Sequence, residues 1–584
     1  MRTMAISNEL DFSSSTGRDI SIHKYGKEWP IVYLIYNDSE IYVGETVDAS
    51  VRMLQHYSNP ERRKLKKVRI ISDDRFNKSV ILDLESFLIS HISADKKGLK
   101  LQNGNAGHQK HNYYQKNVYE AEFGDVWRKL CNIGLAKSSI KEIENSNLFK
   151  YSPYKTLTDD QYLVSSHIIA NVAKNIEEDK RSTYIVNGGP GTGKTVLAIF
   201  LMKLLSTEIE EDTNLEDERL IEALTKIHTL LPNFKMGIVV SMSNLRTTLQ
   251  DVFKTTHGLS ERMVYSPSQI ANSKEDFDLL IVDEAHRLKA ARNMMGTEVR
   301  NIRDNNKKLG LDENNGTQLD WIMKKSKHQI LFYDEFQSIK RTDVGDSVFQ
   351  KLKKKGAQKL DLETQVRCGK GGQRYVNYVR EIFSDDPPKT RVDFKNEKEG
   401  LDYDFALFDD VREMTELIIT KNKSSDVGLC RNIAGDSWPW RTKNKINPRN
   451  KQETDDCIKM GLYDIDIEGN KYIWNSKYNN WVATENSENE IGCIHTIQGF
   501  DLNYAGVIIG NDLRYDEEND RLYIDRGSYY DKYGKNKTND KDLRQYIFNI
   551  YAVLCTRGIN GTYVYACDEH VRKYLKRFIK SYNK

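Results

Sequence analysis

The sequence has no Cys-x-x-Cys pair, no apolar stretch near the length of a membrane span, no repeat of fixed period and no large excess of either charge. Each absence removes a class. The seven cysteines, Cys131, Cys368, Cys430, Cys457, Cys493, Cys555 and Cys567, are odd in number and scattered, which argues for reduced thiols and against a zinc site or a disulfide frame. No run approaches the ~20 apolar residues of a spanning helix, and the first residues lack the apolar core of a leader peptide. The expectation is a cytoplasmic protein without a membrane partner. A net charge of +3 excludes a global polycation, so any contact with nucleic acid has to come from local basic patches. What is present is length, 584 residues, with 38% hydrophobic and 30% charged content, enough for several packed and soluble domains.

Residues 188–195 read Gly188-Gly189-Pro190-Gly191-Thr192-Gly193-Lys194-Thr195, between the apolar run Tyr184-Ile185-Val186-Asn187 and the helix-compatible run from Val196 to Leu201. A strand feeding a glycine-rich turn that opens a helix is the context a phosphate-binding loop requires. Glycines let successive N–H groups turn inward on a triphosphate, and the helix start adds a favourable dipole. The pattern predicts ATP, with Lys194 on the β- and γ-phosphates and Thr195 on Mg²⁺. Leu279-Leu280-Ile281-Val282 reads as a buried parallel strand with Asp283-Glu284-Ala285-His286 at its C-terminal end. Asp283 is expected to hold Mg²⁺ through water, and Glu284 to orient the attacking water. A third strand, Gln329 to Tyr333, ends in Asp334-Glu335-Phe336-Gln337, where Gln337 either senses the γ-phosphate or hydrogen-bonds backbone.

These segments carry a resemblance. Gly188 to Thr195, Asp283 to His286 and Asp334 to Gln337 resemble motifs I, II and III of superfamily 1 helicases. Leu362-Glu363-Thr364-Gln365-Val366-Arg367 resembles motif IV, Ile494-His495-Thr496-Ile497-Gln498-Gly499-Phe500-Asp501 motif V, and Tyr551 to Gly558 motif VI. With Trp438-Pro439-Trp440 and Gly506 to Gly510, residues 157–570 are similar to the Schlafen group 3-like DNA/RNA helicase domain. The resemblance implies two RecA-like lobes with ATP between them. It implies Arg367 and Arg557 as arginine fingers from the second lobe, and Gly499 within the nucleotide group. Gln161 stands where this superfamily reads adenine; on the residues alone it is equally a polar residue at a helix start after a Thr/Asp cap. Trp438 and Trp440 either stack on bases or fill a core.

Nearer the start, Ile31-Val32-Tyr33 and Tyr42-Val43-Gly44 flank the turn Asn37-Asp38-Ser39 and read as a hairpin. Followed by Gly44-Glu45-Thr46, Arg52, His56, Glu85 and Asn103, they resemble the GIY-YIG nuclease pattern over residues 29–110, with Ile31 where the family usually has Gly. The resemblance implies Glu85 as the carboxylate for one Mg²⁺ or Mn²⁺ and Tyr33 as the group that orients or deprotonates the attacking water. Arg52 would clamp the phosphate, with Tyr42, His56 and Asn103 around it. The basic run Arg62-Arg63-Lys64-Leu65-Lys66-Lys67-Val68-Arg69 is expected to track phosphates.

The expected architecture is α/β: a lead-in over 1–28, a small nuclease domain over 29–115, a linker over 116–156, and two parallel-sheet RecA-like lobes over 157–360 and 361–584. The expected function is an ATP-driven helicase or translocase fused to a metal-dependent endonuclease. Its partner would be nucleic acid, DNA ahead of RNA, and a homo-oligomer or partner protein is left open. A defence role against foreign DNA follows only by analogy. The alternatives are an ATP-gated switch that licenses the nuclease, and a binding protein with a degenerate nuclease domain.

Overall fold

Strand β3 (Ile31–Tyr36) is buried at every position, which is why its sequence is a continuous apolar run. It lies at the centre of a six-stranded mixed sheet with β1 (Ala5–Ile6), β2 (Leu10–Asp11), β4 (Glu40–Thr46), β5 (Lys67–Ser72) and β6 (Lys100–Leu101), ordered β1-β5-β3-β4-β6 with β2 also on β5. β3 and β4 form the expected antiparallel hairpin. Ile31, Tyr33 and Ile35 share one core with Ile20 of α1 (Thr16–Ser21) and with Ala49 and Met53 of α2 (Ala49–Ser58). Val32 and Leu34 point the other way, into a core with Leu84 and Leu88 of α3 (Lys78–Ile92). The two-residue period thus sorts one strand between two layers.

The structure, a computed structural model, describes residues 4–103, 112–144, 146–155, 157–207, 217–290, 297–334, 344, 346–364, 368, 371–396, 398, 400–424, 427–443, 445–477, 481–497, 501–535 and 538–582. Two stretches differ from expectation. The loose lead-in is instead built into the sheet: β1 and β2 satisfy the edge of β5, and Met4, Phe12 and Ile20 are buried. The expected linker folds as α4 (Lys116–Asn132), α5 (Ile140–Glu144) and α6 (Asn147–Lys150), and places Tyr119, Phe123, Trp127 and Leu130 in the α3 core. The Trp127 indole donates to the Ser138 carbonyl at 2.9 Å. The Asp95 carboxylate accepts from the amides of Lys137 and Ser138 at 2.8 and 2.7 Å.

After α7 (Asp159–Glu177) come β7 (Ser182–Gly188), α8 (Lys194–Leu205), β8 (Met236–Val240), β9 (Val264–Tyr265), β10 (Phe277–Asp283), β11 (Ser326–Tyr333) and β12 (Gln358–Leu362). Their sheet is ordered β12-β7-β11-β10-β8-β9, with β10, β8 and β9 parallel. The remaining strands are β13 (Asp404–Leu407), β14 (Cys430–Ala434), β15 (Ile465–Ile467), β16 (Asn470–Tyr472), β17 (Ile491–Cys493), β18 (Leu502–Ile509), β19 (Leu513–Asp516), β20 (Arg521–Ile524), β21 (Gly558–Ala566) and β22 (Lys580–Ser581). β15 with β16 and β19 with β20 are small hairpins; the others form a sheet ordered β17-β14-β18-β21-β13-β22, each pairing parallel. The chain divides into two units, residues 1–184 with 195–283 and 325–330, and residues 185–194 with 284–324 and 331–584. The N-terminal sheet therefore shares a unit with α8, β8 and β10, and α6 packs on the helix Ser243–Thr255. Among the described residues no helix is long and apolar enough to cross a membrane.

Candidate functional site

The nucleotide residues expected from the motifs fall in both units, joined along the chain by the peptide bonds Lys194–Thr195 and Asp283–Glu284. In the second unit, Gly191 and Gly193 have φ of 83° and 75°, where a Cβ is strained, and a Cβ on Gly188 would lie 2.5 Å from Thr192 Oγ1. Thr192 Oγ1 donates to the Gly189 carbonyl at 3.0 Å. The buried Lys194 ammonium donates to the carbonyls of Gly188 and Gly189 at 2.7 and 2.9 Å, and lies 3.3 Å from Asp334 Oδ2. A curled, glycine-rich loop around a lysine head fits a polyphosphate.

Glu284 adopts φ 53°, ψ 49°, a left-handed conformation that costs a glutamate about 1–3 kcal/mol and marks functional positions. Its carboxylate lies 2.8 Å from His286 Nε2 and 3.3 Å from Arg287 Nε. Burial alone would raise its pKa, but His286, Arg287 and Lys194 outweigh burial and hold it well below the usual carboxylate range. The amide of Asp334 donates to His286 Nδ1 at 3.3 Å. Asp334 is therefore a member of this group that the motif reading left without a role.

In the first unit, Thr195 Oγ1 donates to Asp283 Oδ2 at 2.8 Å, and Asp283 is fully buried at the end of β10, opposite Val240 of β8. Two hard oxygen donors at that spacing suit one Mg²⁺. Gln161 closes the capping box of α7, its Oε1 accepting from the Thr158 amide at 3.1 Å, which gives it the helix-start role.

Gln337, Arg367 and Gly499 lie outside the described residues. Arg557 is 3% exposed, just past the helix Asp540–Cys555. Trp438 is core, edge-on to Trp474 at 6.4 Å, so of its two readings the structure supports packing. Arg380, on the helix Gly372–Ile382, was marked by no motif. Its Nη2 lies 3.4 Å from where a Cβ on Gly189 would stand. It lines a cavity of about 480 Å³ with Pro190, Asn377, Arg544, Phe548 and Thr556.

The N-terminal module gathers the other group. Tyr33 stands opposite Gly44 in the hairpin register, and its ring crosses the glycine: a Cβ there would sit 2.3 Å from Tyr33 Oη. The tyrosine and the glycine of the motif are thus one packing requirement. Gly44→Ala is expected to destabilise the protein by about 1–3 kcal/mol through overpacking, read as a lowered melting temperature; an unchanged melt would show that the ring moves aside freely.

Tyr33 Oη lies 2.6 Å from His56 Nε2. Burial, then the positive charges of Arg52 and Arg62, push the His56 pKa down to about 3, so a neutral imidazole shares the hydrogen bond with the tyrosine hydroxyl. Burial pushes the Tyr33 hydroxyl well above its ordinary value, with Tyr42 adding to the rise and Arg52 opposing it. The Tyr42 ring lies 4.8 Å from His56, and the Arg62 guanidinium lies over Tyr42 at 4.0 Å while Nη1 donates to Gln102 Oε1 at 2.6 Å.

Asn103 pins β4: Oδ1 accepts from the Val43 amide at 3.1 Å and Nδ2 donates to the Val43 carbonyl at 2.7 Å. Glu85 is 1% exposed on α3, and burial together with Glu45 raises its carboxyl to about 8. Its Oε2 is buried without a hydrogen-bond partner, the arrangement a cation would relieve. The basic run departs from expectation. Arg63 donates to the carbonyls of Tyr57 and Ser58, Lys64 pairs with Glu61 and Lys67 with Glu9, so these charges serve local structure while Arg62 turns into the site.

An uncharacterized protein of Saccharomyces cerevisiae is 27% identical over 455 residues, covering 72% of this chain and 91% of the relative. Among solved structures, a Pif1 helicase from Bacteroides in complex with ADP-AlF3 and ssDNA covers 73% of this chain and 95% of its own at 11% identity and a TM-score of 0.28. Caenorhabditis elegans PCH-2 covers 56% and 64% at 11% identity and 0.20. Neither score reaches the level at which a shared fold follows. The Schlafen group 3, DNA/RNA helicase domain matches residues 181–568, two thirds of the chain, and carries the phosphate-binding loop, the Asp283-Glu284 strand end and the all-parallel C-terminal sheet: the chain belongs to that helicase-domain family.

Proposed function

We propose that the chain is an ATP-hydrolysing helicase or translocase of nucleic acid, with DNA ahead of RNA, whose N-terminal module is a metal-dependent endonuclease of GIY-YIG type. The observation that carries the motor is the Lys194, Glu284, His286 and Asp334 group around a loop shaped for polyphosphate, within a helicase-family domain. Mg²⁺ on Thr195 and Asp283 would neutralise phosphate charge. Lys194 binds the phosphates, and ionised Glu284 orients water. The observation that carries the nuclease is the Tyr33–His56 hydrogen bond beside Arg52 and the buried Glu85. Tyr33, held by its hydrogen bond to His56, orients the attacking water, and Arg52 clamps the phosphate. A divalent cation on Glu85 would supply charge stabilisation at the scissile phosphate. ATPase assays with and without DNA or RNA, together with strand displacement and Mg²⁺-dependent nicking, test both activities. No nucleic-acid-stimulated ATPase, or no nicking in any metal, removes the corresponding half.

Arg380 belongs to the phosphate group in this reading. Arg380→Ala should slow ATP turnover at least tenfold with ATP affinity held within about threefold, because a cation aimed at the γ-phosphate acts mainly in the transition state. Unchanged turnover removes it from the site.

A second reading, the ATP-gated switch, is favoured by one observation: the N-terminal sheet shares a unit with α8, and α4 to α6 pack on the core of that sheet. On this reading Arg557→Ala alters cleavage even of a short duplex that needs no unwinding. Cleavage of that duplex at the wild-type rate, with or without ATP, leaves delivery by the motor as the coupling.

A further inference from the structure

The GIY-YIG resemblance supplies one carboxylate for a cation. We propose that Glu45 and Glu85 together form a two-carboxylate site for one divalent cation, with Lys78 as the built-in competitor for it. The inference rests on the nuclease reading for its role and on geometry for its existence.

Glu85 projects from α3 at 1% exposure, and the Glu45 side chain, on β4, is 7% exposed. The two meet directly, since the Glu45 amide hydrogen-bonds the Glu85 carboxylate. Oε2 of Glu45 and Oε2 of Glu85 are both buried, and neither has a hydrogen-bond partner. A buried acceptor left unsatisfied costs about 1–3 kcal/mol, more when charged, and each of these adjoining residues carries one. The nearest compensation is Lys78, whose Nζ lies 2.5 Å from Glu45 Oε1 and so occupies the other oxygen of only one of them.

Carboxylates of two adjoining residues, each with a buried oxygen left open, are the donor types of a hard divalent ion, which stabilises both in their charged form. Placement agrees with use. Glu45 stands opposite Val32 on the α3 side and adjoins Gly44, over which the Tyr33 ring lies, and Glu85 is near enough to help raise the Tyr33 hydroxyl. The competing account is a buried Glu45–Lys78 ion pair beside a neutral Glu85, which takes up no ion.

Manganese titration of the full chain without nucleotide, followed by the electron paramagnetic resonance of the free ion, separates the two. Wild type is expected to bind Mn²⁺, Glu45→Gln and Glu85→Gln each to weaken binding at least tenfold, and Lys78→Met to tighten it threefold or more. Mn²⁺ affinity within twofold of wild type in a folded Glu45→Gln overturns the proposal, as does a wild type that binds no Mn²⁺. Should Glu45→Gln fail to fold, Lys78→Met decides, and unchanged affinity there is fatal. Binding that depends on both acids in a protein that cuts no DNA sinks the nuclease reading and keeps this site. Cutting with a Glu45→Gln that binds Mn²⁺ as wild type does the reverse.

Discussion

Glu284→Gln is expected to keep nucleotide and lose at least two orders of magnitude in turnover, about 2.7 kcal/mol of transition-state stabilisation. The substitution keeps the length and shape of the side chain and removes the charge that His286, Arg287 and Lys194 sustain. In the proposed function, ground-state binding runs through Lys194 and the loop amides, which the change leaves alone. Loss should therefore appear in kcat with the ATP dissociation constant nearly unchanged. ATP hydrolysis near the wild-type rate would end Glu284's assignment. Unfolding is the alternative cause of a loss, and the left-handed backbone at Glu284 makes it worth measuring; Gln accepts that conformation no worse than Glu, so the melting temperature should hold.

Glu85→Ala is expected to abolish cleavage while nucleic-acid-stimulated ATPase stays within about twofold, because it deletes the acid assigned to the cation and touches nothing near Lys194. Stability should not fall, and should rise slightly, since a buried acid raised to about 8 is a cost in the metal-free protein. That sign matters. A loss of cutting with a lowered melt would point to packing, whereas a loss with an equal or higher melt points to chemistry. Wild-type cutting by the purified variant in Mg²⁺ would show that the carboxylate is misassigned.

The parts legible from the chain were those whose chemistry is local. A loop that must expose its amides needs glycine at fixed spacing, and a tyrosine ring lying over a strand needs glycine opposite, so Gly188 to Gly193 and Gly44 announce themselves. Asp283 and Glu284 were visible because their acidic strand end follows the glycine-rich loop at a distance that one domain spans; an acidic strand end alone is common. The roles proposed for Arg380, Asp334 and Glu45 were not, because each depends on where tertiary packing delivers the residue, even where a motif already contained it. Arg380 sits on an ordinary amphipathic helix, and Glu45 alternates on a strand as any edge acid does. The helices over 116–150 were obscured by Ser and Asn at their ends, although Tyr119, Phe123, Trp127 and Leu130 keep helical spacing. The local partners of the basic run were hidden for a complementary reason: charge in sequence says nothing of its counter-ions, and Glu9 and Glu61 supply them to Lys67 and Lys64.

The helices that follow the N-terminal sheet also bear on how such a chain can be inherited. Trp127 and Phe123 complete a hydrophobic layer whose other half is Leu84 and Leu88, so a crossover anywhere between residues 116 and 150 would split one core between two parents. Shuffling that exchanges this module between lineages has to carry residues 1–155 as a block. The lineage is then constrained to trade its N-terminal module whole, with the Ser138 and Asp95 clasp included, or not to trade it.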